Sequence, residues 1–105
     1  MVIIETYIFT KQVLKLLTED EYRKLQTVLV NRPDAALIMK GSGGLRKMRW
    51  SMKGRGKRGG VRVIYYWVVE EERLLMLFMY PKAKQDDLTS DQLKILRKIV
   101  EEEYP

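Results

Sequence analysis

Residues 43–66, GGLRKMRWSMKGRGKRGGVRVIYY, carry eight cationic side chains (Arg46, Lys47, Arg49, Lys53, Arg55, Lys57, Arg58 and Arg62) and no carboxylate. The acid-free interval is wider still, with nothing negative between Asp34 and Glu70. Read as a strand, residues 45–52 alternate between faces, so Met48, Trp50 and Met52 point one way while Lys47, Arg49 and Ser51 point the other. One face can be buried while the other binds. Residues 61–69 are dense in β-branched and aromatic side chains and predict a second strand. The glycine-rich segment 53–60 between them then becomes a long cationic hairpin loop. An unpaired block of this kind is matched by a polyanion, most commonly a phosphate backbone.

Working outward, the chain of 105 residues is one domain, 1–105, with 46% hydrophobic residues, enough for a packed core. It has neither cysteine nor histidine, which removes disulfides, thiolate metal sites and the usual zinc ligand, so no metal or cofactor is expected. The net charge of +6 is carried unevenly, because the acids gather near Glu19, near Glu70 and from Asp86 onward. The start, MVIIETYIF, has no basic leader, and the apolar runs 63–69 and 74–80 are far shorter than the ~20 residues of a membrane-spanning helix. The expectation is a cytoplasmic protein with no membrane partner.

Residues 2–9 read as a short strand, after which Thr10 caps a helix running to about Leu17. Thr18 with Glu21 forms a capping box for a second helix, with Tyr22, Leu25, Val28 and Leu29 on one face and an end near Asn31, before Pro33. Residues 34–44 connect to the first basic strand. The polar break 70–73 makes 61–69 and 74–80 a hairpin, which Pro81 closes. Thr89 with Gln92 caps a last helix whose buried stripe is Leu93, Leu96, Ile99 and Val100. The fold class is α+β: a small, mainly antiparallel four-stranded sheet with two N-terminal helices and one C-terminal helix.

Gly54, Gly56 and Gly59 match the spacing of a dinucleotide fingerprint, but that motif needs a following helix to face pyrophosphate, and here a strand follows. The basic face has two readings, a passive RNA-binding surface or a ribonuclease site. Cleaving RNA through its own 2′-hydroxyl needs a group to remove a proton, groups to stabilise the phosphorane, and a group to protonate the leaving oxygen. Without histidine this work falls to Lys, Tyr or a carboxylate. Lys47, crowded by Arg46, Arg49 and Arg62, is the residue whose neutral amine such crowding favours. Trp50 and Trp67 are expected in the core. Tyr66 shares strand parity with Arg62, and either lines the site as an RNA-stacking residue or sits with Ile64 and Val68 beneath the last helix.

The order of elements, with the segments Gly44-Leu45-Arg46-Lys47-Met48-Arg49, Gly59-Gly60-Val61-Arg62-Val63-Ile64-Tyr65-Tyr66, and Tyr80-Pro81-Lys82-Ala83-Lys84 leading to Asp87-Leu88-Thr89, resembles the RelE/HigB family of toxins from bacterial toxin-antitoxin systems, closest to its HigB-like branch. The resemblance covers nearly the whole chain. It implies a ribosome-dependent endoribonuclease that cuts translated mRNA, and a small cognate antitoxin, expected to be a helix-turn-helix protein, that silences it. By position it gives Lys47, Arg49 and Arg62 catalytic roles. The family's further arginine and tyrosine fall at Ala83 and Thr89, so Lys82 and Lys84 are taken as their replacements. Arg46, Lys53, Arg55, Lys57, Arg58 and Tyr66 complete the expected RNA- and ribosome-binding set. The alternative is a non-catalytic RNA- or ribosome-binding protein of the same fold.

Overall fold

A computed structural model describes residues 1–51 and 60–104. The elements run β1 (Val2–Glu5), α1 (Tyr7–Leu16), α2 (Glu19–Asn31), β2 (Arg46–Trp50), β3 (Val61–Val68), β4 (Arg73–Pro81) and α3 (Ser90–Glu103). The sheet order is β1-β4-β3-β2, with β1 parallel to β4 and the other pairs antiparallel. The expected α+β class stands, as a mixed sheet.

Strand parity sorts the core into two layers. Met48, Val63, Tyr65, Leu74 and Met76 face Phe9 and Val13 of α1 and Leu25 and Leu29 of α2. Ile64, Leu75, Leu77 and Tyr80 face Leu96 and Val100 of α3. Both predicted capping boxes form, at Thr18 with Glu21 and at Thr89 with Gln92.

The first expected boundary is displaced. The helix starts at Tyr7, capped by Thr6 rather than Thr10, and the strand ends at Glu5. Thr6 is held at the hinge by two bonds: its hydroxyl accepts from Phe9 N–H at 3.1 Å and donates to Leu77 C=O at 2.9 Å. That turn lays α1 across β4.

β4 also departs from simple alternation. Ile64 pairs with Phe78 but Tyr65 pairs with Met76, so Leu77 is an extra residue, a bulge. The bulge resets the faces beyond it. Met79 enters the α1/α2 layer, its N–H donating to Gln12 Oε1 at 2.7 Å, and Tyr80 turns to the face it shares with Arg62. On the other side of the sheet, residues 37–39 cover the outer edge of β2, with Ile38 bridging Arg46 and Met39 N–H donating to Leu45 C=O at 2.7 Å. A covered edge resists pairing with a foreign strand.

Candidate nucleic-acid interface

Two register pairs, Arg49 with Arg62 and Arg62 with Tyr80, form one row across β2, β3 and β4. Lys47 lies two residues along β2, opposite Ile64, and so on the same face. Arg49 is exposed, Lys47 is half-buried and Arg62 is only 8% exposed. Among the described residues no carboxylate comes within ion-pair distance of Arg49 or Arg62. Two arginines are thus held opposite each other with no carboxylate of the described residues paired to either, and like charges so placed repel each other and attract an anionic partner.

The sequence-predicted trio of Lys47, Arg49 and Arg62 is therefore brought together. The surroundings of Lys47 differ from expectation. Its Nζ donates to Asp87 Oδ1 at 3.1 Å, and Arg46 lies on the opposite face of β2, so the crowding by cations alone that the sequence suggests is not what forms. The Lys47 hydrogen bond, with further help from the Leu88 N–H at 3.0 Å, holds the Asp87 carboxyl below the usual carboxylate range, and the charge of Arg62 acts in the same direction. Sequence reasoning misses Asp87 because it lies 40 residues from Lys47 along the chain. Its one local signal is its place just before the Leu88-Thr89 cap of α3.

Two other expected residues are elsewhere. Arg46 points to the α1/α2 side, where its Nη1 donates to Ala36 C=O at 2.7 Å and its guanidinium lies 5.8 Å from the Trp67 ring centre. That is a structural tie for the connection after α2. Tyr66 takes the second of its two placements. It packs in the α3 layer and stacks on Tyr104 at 6.3 Å between ring centres, further along β3 than Arg62 and away from the row. Gly44, at φ 108°, passes so close that a Cβ there would stand 2.9 Å from the Tyr66 ring. Trp50 and Trp67 pack against the core as expected.

Lys82 and Lys84 are exposed in the turn after β4, beyond Tyr80. The turn is tied back by Lys82 N–H donating to Gly60 C=O at 3.0 Å and Lys84 N–H donating to Pro81 C=O at 3.1 Å. Thr89 is engaged as the cap of α3, its hydroxyl accepting from Gln92 N–H at 3.1 Å. Lys53, Arg55, Lys57 and Arg58, with the expected cationic loop and Met52, lie outside the described residues.

Beside the row opens a cleft of about 740 Å³, lined by residues 35–40 on one wall and by Lys47, Met48, Arg49 and Asp87 on the other. Its far wall is positioned by Tyr65, whose hydroxyl donates to Pro33 C=O at 2.7 Å and accepts from Ala36 N–H at 3.4 Å. Burial of the ring raises the Tyr65 pKa above the usual phenol value. The cleft thus has one wall carrying Lys47 and Arg49 on β2 with Asp87 beside them, and a second wall, apolar but for Lys40, that Tyr65 pins from the core.

The fold and this face define a small α+β protein with Lys47, Arg49 and Arg62 gathered on one side of its sheet. The family model described as the RelE toxin of the RelE/RelB toxin-antitoxin system matches residues 25–104, and the chain belongs to that family, the toxin side of a toxin-antitoxin pair. Among solved structures, a double arginine-to-alanine mutant of the E. coli toxin RelE in the free state is similar in fold. Its TM-score is 0.62 at 14% identity, with 94% of this chain and 96% of that chain covered.

Proposed function

We propose that this toxin is a ribosome-dependent endoribonuclease that cuts translated mRNA, and that a cognate helix-turn-helix antitoxin silences it. The observation that carries the reading is the row of Arg49 opposite Arg62, with Lys47 on the same face and no carboxylate paired with either arginine among the described residues. Cleavage runs through the RNA itself: the 2′-oxygen forms a bond to phosphorus, the bond to the 5′-oxygen breaks, and a cyclic phosphate and a 5′-hydroxyl result. Charge builds on the phosphorane oxygens between those events. Arg49 and Arg62, fixed on neighbouring strands, are suited to hold them. Lys47 leaves Asp87 for the phosphate as the substrate arrives. Lys82 or Lys84 delivers the proton to the leaving 5′-oxygen.

Such a site holds few groups able to remove a proton, and Asp87, held as a stable carboxylate, is a weak base. The proton leaving the 2′-hydroxyl passes to that carboxylate, vacated by Lys47, and the ribosome contributes by orienting the 2′-hydroxyl for attack, an effect worth up to ~7–11 kcal/mol. One observation favours the second reading, a non-catalytic binder of the same fold: Thr89 is occupied in capping α3 and Ala83 has no functional group. Induced expression separates the two. A ribonuclease arrests growth and leaves mRNA cut at codon boundaries, whereas a binder leaves mRNA intact.

A further inference from the structure

Tyr80 is the cross-strand neighbour of Arg62, on the same face, and is only 3% exposed. Its hydroxyl is shut off from water and has no hydrogen-bond partner among the described residues. A buried phenol oxygen without a partner is unfavourable, and a phenylalanine would fill the same space without that penalty. Tyr80 shares its face with Arg62 and Lys47, and Asp87, beyond the turn that follows β4, reaches back to Lys47 Nζ at 3.1 Å. The bulge in β4 is what brings it there, since uninterrupted alternation beyond Leu77 would have sent Tyr80 to the opposite layer.

We infer that Tyr80 is a further catalytic residue of this toxin, its hydroxyl donating a hydrogen bond to a non-bridging oxygen of the RNA phosphate clamped by Arg62 and Lys47. The inference rests on the ribonuclease reading. The Lys47–Asp87 pair lies at the surface, with 63% of the Asp87 side chain exposed, and an exposed ion pair contributes little stability. Lys47 can therefore exchange Asp87 for a phosphate at small cost. The phosphate so held then supplies the acceptor that the Tyr80 oxygen lacks. Burial, with the Asp87 charge, pushes the Tyr80 pKa up to about 12, so the phenol keeps its proton and acts as a donor only.

The test is Tyr80→Phe beside Arg62→Ala and the unaltered protein, each measured for single-turnover cleavage of mRNA on programmed ribosomes, half-saturating ribosome concentration and thermal midpoint. The inference predicts that Tyr80→Phe keeps or raises the thermal midpoint, leaves the half-saturating concentration unchanged, and lowers the maximal rate by about 10²-fold, as loss of a transition-state donor does. Tyr80→Phe with the full rate, while Arg62→Ala has lost it, overturns the role of Tyr80 and leaves the ribonuclease reading standing. A lowered midpoint or failure to fold shows the oxygen to be structural and overturns it equally. An unaltered protein that cuts nothing overturns both.

Discussion

Arg49 and Arg62 stand directly opposite one another across β2 and β3, one exposed and the other buried to 8% exposure. Like charges in that position repel, at a cost of the order of 0.2–1 kcal/mol. A fold optimised for stability alone would not keep the pair. The proposed ribonuclease role accounts for the pair as a clamp for an RNA phosphate.

Arg49→Ala should therefore divide stability from function. Removing the exposed member relieves the repulsion, so urea unfolding should show the variant equal to the unaltered protein or more stable by up to ~1 kcal/mol. Cleavage on ribosomes should fall by ~10²-fold or more. A variant that is clearly destabilised would make Arg49 a structural residue.

Asp87→Asn removes the anion that competes for Lys47. The pKa of Asp87 is lowered by that partnership, so the pair's contribution is present above the unfolded carboxylate value of ~3.9 and is lost as pH falls through the lower folded value. Because Asp87 is mostly exposed, the contribution should be only ~0–1 kcal/mol. RNA affinity should rise in the variant and its salt dependence steepen, by at most ~0.7–0.9 in log-log slope if Lys47 neutralises one more phosphate. Fluorescence titration with a short RNA at two salt concentrations measures both.

How much of the fold and site is legible in the sequence depends on the range over which each feature acts. The capping boxes at Thr18 and Thr89 are complete within four residues and can be read directly. Thr6 has Phe9 rather than an acid or amide three positions on, so the half-box that opens α1 gives a weak signal and the first strand reads too long. The alternation of Lys47 and Arg49 with Met48 and Trp50 survives because β2 runs without a bulge. In β4 the bulge breaks the period of two, so nothing local announces that Tyr80 joins Arg62. Arg46 cannot be told from its basic neighbours by charge. What separates it is parity, together with an acceptor, the Ala36 carbonyl, supplied by a connection whose path has no local signature. Asp87 reaches Lys47 from 40 residues away along the chain, a contact that no local pattern announces.

Alkaline stability should expose the buried phenols. Burial, the Glu5 hydrogen bond and the Glu5 charge raise the Tyr22 pKa, while burial raises those of Tyr65 and Tyr80. A raised pKa means the folded chain keeps a proton that the unfolded chain releases. The stability these groups contribute is thus intact below pH 10 and is lost as pH rises, for Tyr80 between 10 and about 12. Urea unfolding at pH 9 and pH 11 should show the decline, and Tyr80→Phe should make it shallower.

Neutralising Lys53, Arg55, Lys57 and Arg58 together should weaken ribosome binding and flatten its salt dependence, because four cations close in sequence act through long-range attraction. Cleavage at saturating ribosome should persist. Unchanged affinity with turnover abolished would move these residues into the active site.

If the face bearing Lys47, Arg49 and Arg62 cuts mRNA on the ribosome, primer-extension mapping of a defined mRNA in a purified translation system will show it. The unaltered protein should be compared with the triple variant Lys47→Ala, Arg49→Ala, Arg62→Ala, each with and without ribosomes. Cuts at codon boundaries are expected only with the unaltered protein and only when ribosomes are present. Cuts of equal strength from the triple variant would contradict it, as would efficient cutting of naked RNA.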